Sequence, residues 1–192
     1  MKQINFPIQT FFAGGYIDKK LCDELIQLHK TWRHRCHTGP VGNRDESFVD
    51  KKTKDSLDLN LNKYPEMMTK YNLELEKIVK IYRKKYKFID KMDQFNNAQE
   101  NTNIQYYKPG GGFKKWHAER HGPATSRREL LFMTYLNDVP KGGTDFYYFP
   151  ELNLQAQKGL TIIWPSDWTH THKGVVSDTH EKYIVTGWFN FI

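Results

Sequence analysis

Glu129-Leu130-Leu131-Phe132-Met133-Thr134-Tyr135-Leu136-Asn137 and Lys182-Tyr183-Ile184-Val185-Thr186-Gly187-Trp188-Phe189-Asn190-Phe191 are runs dense in β-branched and aromatic side chains, the composition of strands. Four shorter runs of the same texture lie around them: Ile104 to Lys108, Phe146 to Phe149, Leu160 to Trp164 and His170 to Val176. Pro109-Gly110-Gly111-Gly112, Lys141-Gly142-Gly143 and Lys158-Gly159 punctuate the series as turns. Six short strands with no helix between them predict an antiparallel sandwich or barrel. The class is therefore α+β, mainly β, because the first hundred residues have a different period.

Before about Asn101 the apolar spacing is helical. Asp18 is a candidate N-cap, and Leu21, Leu25, Leu28 and Trp32 follow at three- and four-residue steps. A second helix opens at Pro65, with Tyr71, Leu75, Ile78, Tyr82 and Tyr86 along one face. Both stripes read as packing seams that place these helices outside the strands. Between them, His37 to Asn62 is polar and broken by Gly39-Pro40 and Gly42-Asn43, so it reads as a long loop suited to substrate contact. No repeat, low-complexity tract or linker divides the chain. We expect one domain over 1–192, with helical support and a substrate loop in 1–100 and the catalytic core in 101–192.

The chain has 192 residues with 15% aromatics, enough to close a core and too rich in large rings for a disordered chain. No apolar run approaches a membrane span, and Met1 to Gly15 lacks the unbroken apolar stretch of a signal peptide, so no membrane partner is expected. Two cysteines, Cys22 and Cys36, cannot form a disulfide framework and fit a reducing, cytoplasmic setting. The net charge of +7 is spread over several segments rather than laid along a nucleic-acid motif, so it reads as a solvated surface that could steer an anionic ligand. Oligomeric state is not legible.

His117, His121, His170 and His172, four of the eight histidines, crowd the strand-rich half. In Trp116-His117-Ala118-Glu119, positions i and i+2 of an extended chain put an imidazole and a carboxylate on one face. A His-x-Glu alone is weak evidence, since most such tripeptides are surface accidents. A second imidazole, offered by His170 or His172 in Trp168-Thr169-His170-Thr171-His172-Lys173-Gly174, would complete a two-histidine, one-carboxylate set. That set leaves adjacent positions open and suits ferrous iron, whereas a structural zinc wants four protein ligands. On one strand the two histidines share a face, and spacing does not choose between them.

The order of motifs from Ile104 to Ile192 resembles the catalytic core of the iron(II)- and 2-oxoglutarate-dependent oxygenases, and most closely their prolyl 4-hydroxylase-like branch. Tyr107-Lys108-Pro109-Gly110 precedes His117 and Glu119; Tyr135-Leu136-Asn137 and Gly142-Gly143-Thr144-Asp145-Phe146 follow; His172-Lys173-Gly174 and a strand running from Lys182 to Trp188-Phe189 close the series. The resemblance implies a double-stranded β-helix, a jelly-roll or cupin-like core, with the amino-terminal helices packed outside. It implies iron ligands His117, Glu119 and His172, with His170 behind them or facing substrate, and His121 and His180 on the surface. It also implies that Lys182 binds the far carboxylate of 2-oxoglutarate, helped by the hydroxyls of Thr186, Tyr107 and Tyr135. Asn137, Thr144, Phe146, Trp164 and Trp188 would shape the pocket. Glu119 stands where the family usually has aspartate, one methylene longer, and can bind iron if the backbone retreats or the rotamer folds.

The implied cofactors are iron(II), 2-oxoglutarate and dioxygen, with L-ascorbate as an accessory. The implied reaction hydroxylates an unactivated C–H bond and releases succinate and carbon dioxide. The favoured substrate is a prolyl residue of a peptide or protein, proline-rich in context, with Trp116, Trp168, Tyr147, Tyr148 and the loop His37 to Asn62 as groove walls. Two other readings fit the same residues: a related oxygenase acting on a free amino acid or a nucleic acid base, and a non-catalytic jelly-roll binding module.

Overall fold

The computed structural model describes residues 2–42, 47–92, 95–96, 100–152 and 154–192. Its strands are β1 (Gln3–Ile4), β2 (Ala13–Tyr16), β3 (His37–Thr38), β4 (Val41–Gly42), β5 (Ser47–Phe48), β6 (Leu57–Asn60), β7 (Phe95–Asn96) and β8 (Asn103–Tyr107) in the first part of the chain. The rest are β9 (Arg128–Tyr135), β10 (Val139–Phe146), β11 (Leu154–Ala156), β12 (Leu160–Pro165), β13 (His172–Gly174) and β14 (Lys182–Phe191). The helices are α1 (Lys19–Thr31) and α2 (Pro65–Lys85). A major antiparallel sheet runs β1-β2-β12-β9-β14-β8-β6-β3, with β7 also on β14, and a minor sheet runs β11-β10-β13. This is the expected mainly-β jelly roll with helices outside.

Side-chain alternation explains why β9 is buried on both faces from Leu130 to Tyr135. Leu130 and Phe132 face the helices, where they join Leu21, Leu25, Tyr71, Leu75 and Ile78. Leu131, Met133 and Tyr135 face the minor sheet and meet Val139, Phe146 and Leu154. α1 starts where Asp18 accepts from the Lys20 amide at 2.8 Å, and α2 starts with proline in its first turn. α2 is tied to the sheet by a buried chain: the Tyr71 hydroxyl bonds Thr134 Oγ1 at 2.8 Å, which bonds Thr161 Oγ1 at 2.8 Å. Tyr71→Phe should leave the threonine pair short of a partner and lower stability by about 1–2 kcal/mol, measurable by urea unfolding.

Three expectations change. The segment His37 to Asn62 is not simply a loop: β6 extends the major sheet, with Asp58 opposite Gln105, and β4 pairs with β5. Asn43 of the expected Gly42-Asn43 break lies outside the described residues. The strand expected at Phe146 to Phe149 lies earlier, as β10, which ends at Phe146, and Gly142 and Gly143 lie inside it rather than in a turn. There the register of β10 on β11 slips, and a Cβ on Gly143 would sit 1.6 Å from the Leu154 carbonyl oxygen. The run His170 to Val176 divides into a 3₁₀ turn, Trp168–His170, and β13.

Candidate active site

β13 and the segment that carries His117 meet in one isolated antiparallel bridge that brings the histidines together. The His117 amide donates to the His172 carbonyl at 3.0 Å, and the His172 amide donates to the His117 carbonyl at 2.9 Å. Residues so paired project to one side, and their ring centroids are 4.4 Å apart. Glu119, two residues on, projects with them: its Oε1 is 3.5 Å from Nε2 of both rings. The three ligand atoms lie within 4.8 Å of one another.

Each ring is oriented from behind. Nδ1 of His117 is 3.0 Å from the Lys115 carbonyl oxygen and Nδ1 of His172 is 2.9 Å from that of His170. A carbonyl can only accept, so Nδ1 carries the proton and the Nε2 lone pairs face the carboxylate. Phe113 stacks on the His117 ring at 3.6 Å, while Trp164 and Phe146 enclose that of His172. Burial, then the nearby His172, holds His117 below its ordinary value. Burial pushes Glu119 up, but the hydrogen bonds and charges of both imidazoles outweigh it and hold the carboxyl well below the usual range. Imidazole lone pairs turned to the front and an ionised carboxylate are the donor forms a metal requires.

The ligand atoms open onto a cavity of about 800 Å³, large enough for a co-substrate and part of a substrate. Lys182, first residue of β14, lines it and is only 4% exposed. Its Nζ donates to the carbonyls of Gly142 and Val175, both at 2.8 Å, and no described carboxylate pairs with it. Burial lowers its pKa to about 8. A buried ammonium facing a cavity without an anion is a cost that an anionic ligand would remove.

The other anticipated residues sit on the same floor. Tyr107 lies opposite Lys182 on β8, Tyr135 opposite Ile184 on β9, and Thr186 on the Lys182 face of β14. All three line the cavity. Two of these hydroxyls already have neighbours: Tyr107 donates to Gln105 Oε1 at 2.7 Å, and Tyr135 pairs with Thr144 Oγ1. Burial raises the pKa of both phenols, which keeps them protonated.

His170 and His172 do not share a strand face. His170 ends the 3₁₀ turn, and its ring is buried against Phe12 and Phe149, with Nε2 on the Thr10 carbonyl at 2.9 Å. It therefore does not face substrate, although its main-chain carbonyl orients His172. His121 and His180 are exposed, and His121 stands at the cavity rim. Asn137 joins strands rather than lining the site, accepting from Tyr183 N and donating to the Glu181 carbonyl. Sequence reasoning missed Phe113, for which no local signal exists, and the part played by Arg128. The role of Trp188 was readable in principle, since it alternates onto the same face as Lys182 and Thr186.

Residues 102–190 match the sequence profile of the 2OG-Fe(II) oxygenase superfamily. That match spans the strand-rich half of the chain, which is 2OG-Fe(II) oxygenase-like. The chain is accordingly a 2-oxoglutarate-dependent dioxygenase whose cofactors are iron(II), 2-oxoglutarate and dioxygen, and the clustered donors with their unpaired buried cation fit such a set. No curated protein matches the oxygenase in sequence. Among solved structures, a Pseudomonas putida prolyl-4-hydroxylase shares its fold with TM-score 0.69 at 13% identity, over 95% of this chain and 94% of that one. The viral collagen prolyl hydroxylase of Paramecium Bursaria Chlorella virus-1, solved with 2OG, gives 0.64 at 17% identity over 95% and 97%. A Trichoplax adhaerens prolyl hydroxylase, in complex with a hypoxia inducible factor oxygen degradation domain peptide fragment, gives 0.68 at 14% over 94% and 84%. The oxygenase thus has the prolyl hydroxylase fold.

Proposed function

We propose that this oxygenase hydroxylates a prolyl residue of a peptide or protein, with His117, Glu119 and His172 holding iron(II) and Lys182 holding the far carboxylate of 2-oxoglutarate. The observation that carries the assignment is the pairing, in one cavity, of a three-donor cluster with a buried ammonium that meets no carboxylate among the described residues. When bound, iron and co-substrate supply the oxidising chemistry, in which decarboxylation to succinate and carbon dioxide is coupled to insertion of oxygen into a C–H bond. The protein's share is positional. Both imidazoles are fixed with Nε2 forward, and Thr186, Tyr107 and Tyr135 add hydroxyls around the co-substrate. Leu131, Met133 and Ile184 give the cavity floor an apolar surface that excludes water.

A peptide is favoured by the rim. Trp116, which lines the cavity beside His117, packs edge-on against Tyr147 at 5.3 Å; Tyr147 meets Tyr148 at 5.0 Å and Tyr148 meets Trp168 at 5.9 Å. All four rings are exposed, an aromatic row of the kind that takes extended proline-rich segments. The solved relative with a bound peptide fragment supports the same reading. Succinate release should be iron-dependent and strongest with proline-rich peptides across a panel that includes free amino acids and an alkylated oligonucleotide. Preference for either of the latter would overturn the substrate while leaving the chemistry intact.

A further inference from the structure

Glu119 holds its carboxylate by both ends. Oε1 faces the two Nε2 atoms at 3.5 Å, whereas Oε2 accepts from the Trp188 indole N–H at 3.0 Å and lies 3.6 Å from Arg128 Nη1. Arg128 is itself fixed in three ways. It donates to the Glu119 main-chain carbonyl at 3.0 Å, its Nε donates to Glu100 at 2.9 Å, and its guanidinium lies 3.8 Å over the Trp188 ring. Three elements thus converge on one oxygen: the segment carrying Glu119, the start of β9 and the middle of β14.

We propose that Trp188 and Arg128 form a clamp on Oε2 that positions Glu119 for metal binding, and that this clamp is why a glutamate works here. The inference rests on the metal reading above. An oxygen that accepts the indole hydrogen bond and lies 3.6 Å from a fixed guanidinium is held in direction, so the other oxygen is turned towards the imidazoles without loss of side-chain freedom at the moment of binding. The extra methylene is what spans the gap. An aspartate on the same backbone withdraws the carboxylate by about 1.5 Å, one C–C bond, and can reach either the imidazoles or the indole but not both. Arg128 also offsets charge: it places a cation behind a buried carboxylate whose front is to face a second cation, so the free site is not left with an uncompensated anion. Trp188 and Arg128 are positioning residues, since neither is placed to touch the metal.

The test is a double-mutant cycle read by metal binding rather than turnover. Trp188→Phe keeps an aromatic ring under Arg128 and removes the N–H, at the cost of part of the indole surface. In metal-free protein titrated with Mn(II) by calorimetry, its affinity should fall about tenfold or more, the usual cost of losing an outer partner of a ligand. The Co(II) complex should show a shifted visible spectrum, because the carboxylate is no longer held at one angle. Glu119→Asp should also weaken Mn(II) binding, and in that background Trp188→Phe should add nothing, because the shorter carboxylate has already left the indole. Equal losses in both backgrounds, or an unchanged affinity in the single variant, would overturn the clamp. Parent protein that binds neither Mn(II) nor Co(II) would overturn the metal reading itself. Should Trp188→Phe fail to fold, Arg128→Lys serves in its place: it gives up the stacked plane, and it too should lower affinity with Glu119 present and not with aspartate.

Discussion

His172→Ala should abolish metal-dependent succinate release, a loss greater than the 10–100-fold that removing an outer-sphere partner costs, whereas His170→Ala should leave Mn(II) affinity in place. The contrast is sharp because the two residues are adjacent in kind and position yet face opposite ways. His172 Nε2 lies 3.5 Å from the Glu119 carboxylate, and truncation leaves a two-ligand remnant. His170 Nε2 contacts the Thr10 carbonyl, so its loss leaves a buried acceptor unpaired and lowers stability by about 1–3 kcal/mol without opening the metal site. The contact that matters to His172 is the His170 carbonyl, which survives substitution. Calorimetric Mn(II) titration and thermal unfolding of the two variants check the pair. Lost metal affinity in His170→Ala, with His172→Ala still binding, would reverse the ligand assignment.

That contrast marks where sequence reading stopped. The i, i+2 relation of His117 and Glu119 and the strand character of Ile104 to Lys108 and Lys182 to Phe191 are local properties of the chain, and the structure carries them directly. The choice between His170 and His172 is not local. It depends on Trp168–His170 tightening into a 3₁₀ turn and on a cross-chain pair of hydrogen bonds from His117, and neither leaves a mark in the spacing. Glycine misled at Gly142-Gly143, which look like turn residues but lie within β10, where Gly143 permits close approach of neighbouring backbone. β6 was hidden because Leu57-Asp58-Leu59-Asn60 is too short and polar to stand out, and it is a strand only because β8 offers an edge.

The clamp on Glu119 belongs with the same lesson. From sequence, a glutamate in the carboxylate position reads as a departure to be accommodated by backbone or rotamer. In three dimensions the departure has partners, and the indole and guanidinium that meet it come from positions 60 to 70 and about 10 residues away in the chain. Substituting one member therefore tests the group, and isolated comparison of Glu119 with aspartate would misjudge it.

Lys182→Ala should raise the 2-oxoglutarate requirement by at least about 30-fold while leaving Mn(II) affinity nearly unchanged, since truncating one partner of a buried charge pair costs about 2–5 kcal/mol. The pH dependence gives a second, independent reading. Burial lowers the Lys182 pKa from 10.5 in the unfolded chain to about 8 in the free folded protein. A depressed lysine binds its proton less well when folded, so its burial penalty on stability is fully present below about pH 8 and is relieved as pH rises towards 10.5. Binding of the dianionic co-substrate requires the ammonium form, so the same window weakens binding. The dissociation constant should climb about tenfold per unit once pH passes about 8 in the parent protein, with protons taken up on binding near that pH, and it should be flat over the same range in Lys182→Ala. Calorimetry in two buffers of different ionisation enthalpy reads both quantities. A parent protein whose co-substrate affinity ignores pH between about 8 and 10 would remove Lys182 from the binding site, whatever its place in the cavity.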